Sequence, residues 1–241
     1  MLDTYEQERL PIGTFTVDQA YARYINRSAP ELRDYRVHEE VHDYAFELGQ
    51  RYHQSQAVAY GANGGGKIWE DPTDPIASAG SRAPHFWTDH AQKKSIYDSL
   101  LRTEFTLLVP KSHHTSYWSE AGDALKAEFP ITTVIVSNAR FCTLYKITHS
   151  GCVLVRPDQY IAWKAVGVPH QSVKKENVCR DILRGVLRRL LFLDPSLPLA
   201  KPKTTLVNGV ISAKAEEPAT NGVREITGEK LLDYLRGTPK I

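Results

Sequence analysis

A predicted β-hairpin at residues 151–164 constrains the fold of this chain more than any other stretch of its sequence. Two apolar runs, CVLV at 152–155 and YIAW at 160–163, flank the tetrapeptide RPDQ at 156–159. Proline cannot donate to a β-ladder and aspartate favours turns, so these four residues predict a chain reversal. Because two strands alone are barely stable in water, the hairpin requires a larger sheet to join.

The other strands of that sheet are predicted just before the hairpin. Short apolar runs at Phe105–Val109 and Ile131–Val136 indicate buried strands, and helical spacing of apolar residues indicates a helix at Ser116–Phe129 between them. Strand, helix and strand at this spacing form a parallel βαβ unit. A last helix, expected to be capped by Asn177, follows the hairpin. The order βαβ and then ββα is the thioredoxin arrangement, so we predict an α/β protein with a thioredoxin-like domain at residues 78–197.

The last helix is expected to bury one continuous apolar stripe, with Arg180, Arg184 and Arg188 on its solvated face. The stripe consists of Val178, Ile182, Leu183, Val186, Leu187, Leu190 and Leu191.

The N-terminal region, residues 1–77, is predicted to hold helical segments and a glycine-rich loop. Leu2–Arg9 is expected to form one or two helical turns that Pro11 and Gly13 stop. A second helix is expected at Thr16–Asn26, where apolar residues share one face.

The C-terminal tail, residues 198–241, carries one strong local signal. Asn208-Gly209 lies between apolar residues and is the best two-residue hairpin turn available. A short helix is expected from Thr227, as its cap, to Leu235.

Charge and composition exclude several classes of function. The net charge of +2 and a pI of about 8.3 are too mild to indicate nucleic acid or an anionic membrane as partner. There is no run of 18 apolar residues and no signal-peptide core, so we expect a cytoplasmic protein.

Cys142, Cys152 and Cys179 are odd in number and widely spaced, which argues against a disulfide framework. Thiol–disulfide exchange is excluded because KSHHTS at 111–116, where a thioredoxin carries Cys-x-x-Cys, lacks cysteine.

Three stretches resemble one protein family, in the family's order. They are LDTYEQERLPIGTFTVDQA at 2–20, AGSRAPHFW at 79–87, and FTLLV at 105–109 together with VLVRPDQYIAW at 153–163. They are similar to the LLDTYxxERxPxG helix, the PGxRAPHxWL segment and the LVRPDGxVAWR hairpin of class A FAD-dependent aromatic-ring hydroxylases, the group of phenol and polyketide hydroxylases. The resemblance implies the family's thioredoxin-like C-terminal domain.

The family's flavin-binding motifs are missing from the sequence. Family members open with a GxGxxG turn that holds the FAD pyrophosphate at a helix N-terminus, and carry a later Gly-Asp motif. The glycine cluster at 64–66 follows no strong strand and precedes no convincing helix, so we interpret it as a loop. We therefore expect that the chain lacks the FAD-binding domain, binds no cofactor and does not hydroxylate by the family mechanism.

Several side chains are candidates for acid–base chemistry. Arg82 and His85 come with the family motif, where the resemblance implies that they brace a loop between domains. His113 and His114 lie between the first strand and its helix, where they either cap the helix or act beside a pocket. Asp158 either stabilises the hairpin turn or serves as a catalytic carboxylate. The predicted catalytic residues are Arg82, His85, His113, His114, Tyr117 and Asp158. The predicted substrate-pocket residues are Phe86, Trp87, Trp118, Tyr145 and Trp163.

The segment His38–His42 matches HExxH, the zinc pattern of metalloproteases. On a helix it would place two imidazoles on one face with Glu39 as general base. A third ligand is needed, and Leu48 occupies the position that the longer metzincin pattern requires. We therefore predict no metal site and leave this pattern as an open alternative.

Two functions remain from the sequence. The first, which we prefer here, is a cofactor-independent cyclase, isomerase or dehydratase that acts on a hydrophobic or polyketide-type intermediate in secondary metabolism. The alternative is a non-catalytic accessory or dimerisation subunit of a split FAD-dependent monooxygenase. An enzyme predicts a closed pocket in a monomer or homodimer, whereas an accessory subunit predicts an exposed apolar face and a flavoprotein partner.

Overall fold

The computed structural model describes residues 2–34, 39–52, 55, 57–58, 67–89, 91–111, 116–169, 175–193, 204–207 and 210–213. The helices are α1 (Leu2–Ser28), α2 (Asp43–Leu48), α3 (Tyr117–Leu125), α4 (Arg140–Tyr145) and α5 (Lys175–Leu190), with short 3-10 helices at Pro30–Leu32 and Ile96–Ser99. The strands are β1 (Phe105–Pro110), β2 (Ile131–Val136), β3 (Cys152–Val155), β4 (Ile161–Ala165), β5 (Thr204–Val207) and β6 (Val210–Ala213). The part of the chain that the structure describes contains no helix with the length and apolar character needed to cross a bilayer.

A four-stranded sheet forms the centre of the domain, in the order β2-β1-β3-β4. Strands β1 and β2 are parallel, from Phe105 opposite Ile131 onward, whereas β3 is antiparallel to both β1 and β4. The β3–β4 hairpin reverses where it was predicted, with Gln159 in the left-handed region at φ 72°. This is a thioredoxin-like α/β domain, as predicted.

The sheet has two covered faces. Along β1 and β3, Leu107 and Leu154 face one side, whereas Leu108 and Val153 face the other. The first side, which we call the α3–α5 face, is covered by α3 and α5. The second side, the α4 face, is covered by α4 and by residues of the segment 77–100. Helix α4 was not predicted.

Helix α1 is continuous, so the prediction that Pro11 and Gly13 end a first helix is wrong. Proline costs about 3 kcal/mol inside a helix because it removes one hydrogen bond and clashes with the preceding turn. On the inner face of the helix, Ile12, Gln19, Ala22 and Ile25 are buried against the rest of the protein. Tertiary packing therefore overrides the local signal.

Helix α5 also departs from the sequence prediction. It begins at Lys175, so Asn177 lies within its first turn rather than at the cap. Its fully buried residues are Cys179, Leu183, Leu187 and Leu190, whereas Ile182 is 36% exposed. The buried stripe is thus rotated slightly from the predicted one. Helix α3 is capped by Ser116, whose Oγ accepts from the amide of Ser119, but it ends at Leu125 rather than at Phe129.

Extended segments join the N-terminal region to the free edge of β4. The amide of Ile161 donates to the carbonyl of Ser81, and the amide of Tyr52 donates to the carbonyl of Gly80. A third segment, around Ile68, pairs with the segment that contains Arg51 and Tyr52, because the amide of Arg51 donates to the carbonyl of Ile68. Of these bonds, the one between Tyr52 and Gly80 crosses the predicted domain limit at 77/78, which itself stays a prediction.

The tail forms the predicted hairpin, in which Val207 of β5 pairs with Val210 of β6. Strand β6 lies against α1. The turn residues Asn208 and Gly209 lie outside the described residues, as do the limit at 197/198 and the helix predicted at 227–235.

Candidate functional site

The sheet separates the predicted site residues into two groups. Tyr117, Trp118 and Trp163 lie on the α3–α5 face, where the two tryptophan rings meet edge to face at 5.4 Å. Phe86 and Tyr145 are buried on the α4 face. His113 and His114 lie outside the described residues.

The predicted pocket residues do not surround one cavity. Trp118, Tyr145 and Phe86 are at most 5% exposed and belong to the core. Tyr145 donates its hydroxyl to the carbonyl of Pro84 at 2.8 Å, so its polar atom is used inside the fold. Trp87 is 40% exposed. These aromatic residues support the two faces of the sheet, and none of them lines either of two clefts formed by described residues, of about 500 and 240 Å³.

Arg82 and His85 do come together, at a small cavity that we call the Arg82–His85 hollow. Its volume is about 240 Å³. It is lined by Leu48, Glu70, Pro72, Pro75, Arg82, Ala83, Pro84, His85 and Tyr97.

Tyr97 forms the aromatic wall of this hollow. Ser95 caps the 3-10 helix at Ile96–Ser99 through a capping box with Asp98, and this fixes the position of Tyr97. The Tyr97 hydroxyl donates to the carbonyl of Ala83 at 2.6 Å, and burial raises its pKa above the ordinary value. The guanidinium carbon of Arg82 lies 5.3 Å from the centre of the Tyr97 ring.

The cationic side of the hollow is held from two directions. Nη2 of Arg82 donates to Oε1 of Gln159, in the hairpin turn, at 3.1 Å. The ring of His85 lies 5.6 Å from that of Tyr97 and 4.9 Å from that of Trp87. Both groups can donate hydrogen bonds to an anion, an arginine through a fixed fork of five N–H groups.

Below the hollow lies a buried ion pair that the sequence analysis missed. Arg51 and Glu70 are 2% and 5% exposed, with 3.8 Å between Nε and Oε2. Arg51 donates to the hydroxyls of Ser78 and Ser81, and Ser81 donates to Glu70. Burial raises the pKa of Glu70, although these partners oppose it, and burial lowers the pKa of Arg51. Nothing in the local sequence marks these two residues, because a buried charge becomes visible only from its tertiary partners.

A second ion cluster at the hairpin turn contains Asp158. The carboxylate of Asp158 accepts from Nε and Nη2 of Arg156 at 3.1 and 2.8 Å. Arg156 also pairs with both carboxylate oxygens of Glu8 on α1, and Glu8 accepts from the hydroxyl of Ser55. Glu8 and Arg156 were not predicted as site residues, although both lie in stretches that resemble family motifs. The arrangement supports the structural interpretation of Asp158, as part of the link between α1 and the hairpin.

The HExxH hypothesis does not fit the structure. Residues 39–42 lie outside any helix, and His42 caps α2 by accepting from the amide of Tyr44 at 3.3 Å. The alternative of two imidazoles on one helical face therefore lacks the helix it needs at residues 39–42; His38 itself lies outside the described residues. No group of three or more potential metal ligands occurs among the residues that the structure describes. A cleft of about 500 Å³ lies beside this segment, lined by residues such as Phe15, Glu39 and Trp69.

Comparison with known proteins gives the family. Residues 77–191 match the protein-family model of the aromatic-ring hydroxylase C-terminal domain. The 4-methyl-5-nitrocatechol 5-monooxygenase of Burkholderia sp is 35% identical over 204 residues, which cover 78% of this chain and 36% of that protein. Aklavinone 12-hydroxylase RdmE of Streptomyces purpurascens is 30% identical over 79% of this chain and 35% of its own length. This chain carries an aromatic-ring hydroxylase C-terminal domain.

Solved structures agree with the family. The ternary complex of aklavinone-11 hydroxylase with FAD and aklavinone superposes with a TM-score of 0.68 at 29% identity, over 79% of this chain and 35% of that one. The flavin-dependent monooxygenase PieE, at 22% identity and a TM-score of 0.58, shows the fold alone. The chain therefore spans about a third of the length of the hydroxylases that it matches.

Gly80 and Gly151, two glycines of this C-terminal domain, do not form a phosphate cradle for FAD. A phosphate cradle requires glycines that leave room beside the backbone at a strand-to-helix turn. At Gly80 and Gly151 a Cβ atom would instead lie 2.5 Å from the carbonyl oxygens of Tyr52 and Val166, so the protein's own backbone fills that space. The connection from β1 to α3, residues 111–116, has no glycine in its sequence.

The outer face of α1 carries exposed apolar side chains. Val17 and Tyr24 are 67% and 57% exposed and lie two turns apart on one side of the helix. Leu10, Gly13 and Tyr21 continue that side at helical spacing. We call these five residues the outer stripe.

Proposed function

We propose that this chain works as the C-terminal part of an FAD-dependent aromatic-ring monooxygenase and docks onto a flavin-bearing segment through α1. The proposal applies whether that segment lies on the same polypeptide or on a partner. The relatives support this proposal, since they include a catechol monooxygenase and hydroxylases of aklavinone. The structure of aklavinone-11 hydroxylase was solved with FAD. The proposed substrate of the assembled protein is an aromatic compound of this kind.

The observation that carries the proposal is the outer stripe of α1. A helix of a folded protein normally buries its apolar residues and exposes its charged ones. Helix α1 buries Glu8 and Gln19 on its inner face but exposes Val17 and Tyr24 on the outer one. Such a pattern fits a helix that lies between two layers of protein, with one layer supplied by the remaining two-thirds of the hydroxylase.

The cofactor-independent cyclase or isomerase is the weaker proposal. Acid–base catalysis needs its groups within hydrogen-bonding reach of one substrate. Tyr117 lies on the α3–α5 face, Arg82 and His85 lie beside the α4 face, and Asp158 is paired with Arg156. The observation that favours an enzyme is the Arg82–His85 hollow, which holds two of the six predicted groups.

A chimeric hydroxylase tests the docking role. The N-terminal part of the Burkholderia monooxygenase is joined to this full chain in place of the relative's own matching C-terminal region. We expect the chimera to bind FAD and to oxidise 4-methyl-5-nitrocatechol. Val17→Asp should then weaken the docking by about 1.5–3 kcal/mol, since an exposed apolar side chain that becomes buried on docking contributes roughly that much.

A matched control separates docking from stability. Val166→Asp makes the same change at a residue that is 55% exposed and lies just after β4. It should leave FAD content and turnover unchanged. A folded chimera that is inactive, or one in which the two variants behave alike, would contradict the proposed docking face. Conversion of a polyketide-type compound by the chain alone would favour the cyclase.

A further inference from the structure

We propose that the Arg82–His85 hollow is a binding site for a single-ring aromatic carboxylate. This inference goes beyond the docking role and does not depend on it. It rests on the lining of one cavity, in which an arginine and a histidine lie beside an aromatic ring and a group of prolines.

The donors suit a carboxylate rather than a neutral group. Arginine recognises carboxylates through two parallel N–H···O bonds, and one Nη of Arg82 is already held in place by Gln159 at 3.1 Å. Stacking against Tyr97, at 5.3 Å, further restricts the guanidinium. A restricted fork loses little rotamer freedom when it binds an anion. His85 lies on the same lining and offers a second ring N–H group.

The walls suit one aromatic ring. Tyr97 provides an aromatic face, and Leu48, Pro72 and Pro75 provide aliphatic surfaces. Drug-sized ligands occupy pockets of about 300–1,000 Å³, so a cavity of about 240 Å³ is too small for a multi-ring polyketide and large enough for a benzoate-sized molecule. The ligand that fits the hollow is therefore smaller than the large aromatic substrates named for several relatives.

Glu70 is the one acidic residue of the lining, and its charge is compensated within the fold. Its Oε2 accepts from the Ser81 hydroxyl at 3.0 Å and from the amide of Ile76 at 3.2 Å. The guanidinium of Arg51 lies 3.8 Å away. A bound carboxylate thus faces Arg82 and His85 across the hollow, while the Glu70 carboxylate faces its own partners.

Ligand-observed NMR with benzoate tests the site directly on the full chain. We expect saturable binding of benzoate and at least tenfold weaker binding of benzamide, which has the same ring without the charge. Binding of both probes with equal affinity, or of neither, would overturn the proposal.

A pair of variants at the rim locates the binding. Leu48 is 46% exposed, so substitutions there should leave the fold intact. Leu48→Glu and Leu48→Gln both remove the aliphatic surface of Leu48, but only the first adds a like charge at the mouth, so benzoate should bind Leu48→Glu about tenfold more weakly than it binds Leu48→Gln. Arg82→Gln should abolish binding. If benzoate binds Leu48→Glu and Leu48→Gln equally well, it binds elsewhere and the assignment is wrong.

Discussion

The buried ion cluster that links α1 to the hairpin should respond strongly to removal of one carboxylate. Glu8 and Arg156 have side chains that are 8% and 14% exposed, and Arg156 donates to both oxygens of Glu8. Glu8→Ala removes both of these bonds and the acceptor of the Ser55 hydroxyl. Arg156 would then keep only Asp158 as an acidic partner within this cluster.

The expected cost follows from burial. Removing one partner of a buried ion pair typically destabilises a protein by about 3–5 kcal/mol, because the remaining charge stays buried without compensation. Asp158 is 39% exposed and still neutralises part of the Arg156 charge, which places the expected loss near the lower end, at about 3 kcal/mol. For a domain of this size such a loss lowers the melting temperature by roughly 6–12 °C.

Urea denaturation followed by far-ultraviolet circular dichroism measures the free energy of unfolding. Glu128→Ala is the matched control, since it removes a glutamate that pairs with Arg184 at 2.9 Å while both side chains are more than a third exposed. Exposed pairs of this kind contribute about 0–1 kcal/mol. Equal losses for Glu8→Ala and Glu128→Ala would refute the argument that burial of the first pair sets its strength.

Four further outcomes are expected from the described residues. Gly80→Ala should destabilise the protein by more than about 2 kcal/mol, because φ is +87° and a Cβ would lie 2.5 Å from the Tyr52 carbonyl oxygen. Gly13→Ala should instead stabilise it by about 0.5–1 kcal/mol, because its Cβ would meet nothing within 4 Å on α1; urea denaturation of both variants checks the sign. The pKa of the Glu70 carboxyl is raised, so the folded state binds its proton more tightly than the unfolded state does. The free energy of unfolding, relative to that of Glu70→Gln, should therefore fall as the pH rises from the ordinary glutamate range through the raised pKa. An opposite slope in pH-dependent unfolding would contradict this. Iodoacetamide should label Cys142 before the other two cysteines, which are fully buried, and the raised pKa of the Cys142 thiol should shift the rise of its labelling rate to higher pH than for an ordinary thiol, as peptide mass spectrometry would show.

The sequence determined the elements whose signals are local. The apolar runs at β1 and β2, the hairpin at 151–164 and the Asn208-Gly209 turn each depend on a few adjacent residues, and each predicted strand is present. Helix α4 was missed because six residues are too few for a helical period to stand out. The three family-like stretches identified the domain because they preserve particular residues in a particular order.

Only the tertiary structure decided how these elements are combined. Alternation along a strand shows that β1 has two faces, but not that α3 covers one face and α4 the other. That choice separates Tyr117 from Arg82 and so divides the predicted catalytic residues. Likewise, the interior charge of Glu8 is acceptable only because Arg156, 148 positions away, pairs with it. Backbone preferences and apolar periodicity act over a few residues, whereas the compensation of a buried charge depends on long-range partners that the local sequence does not show.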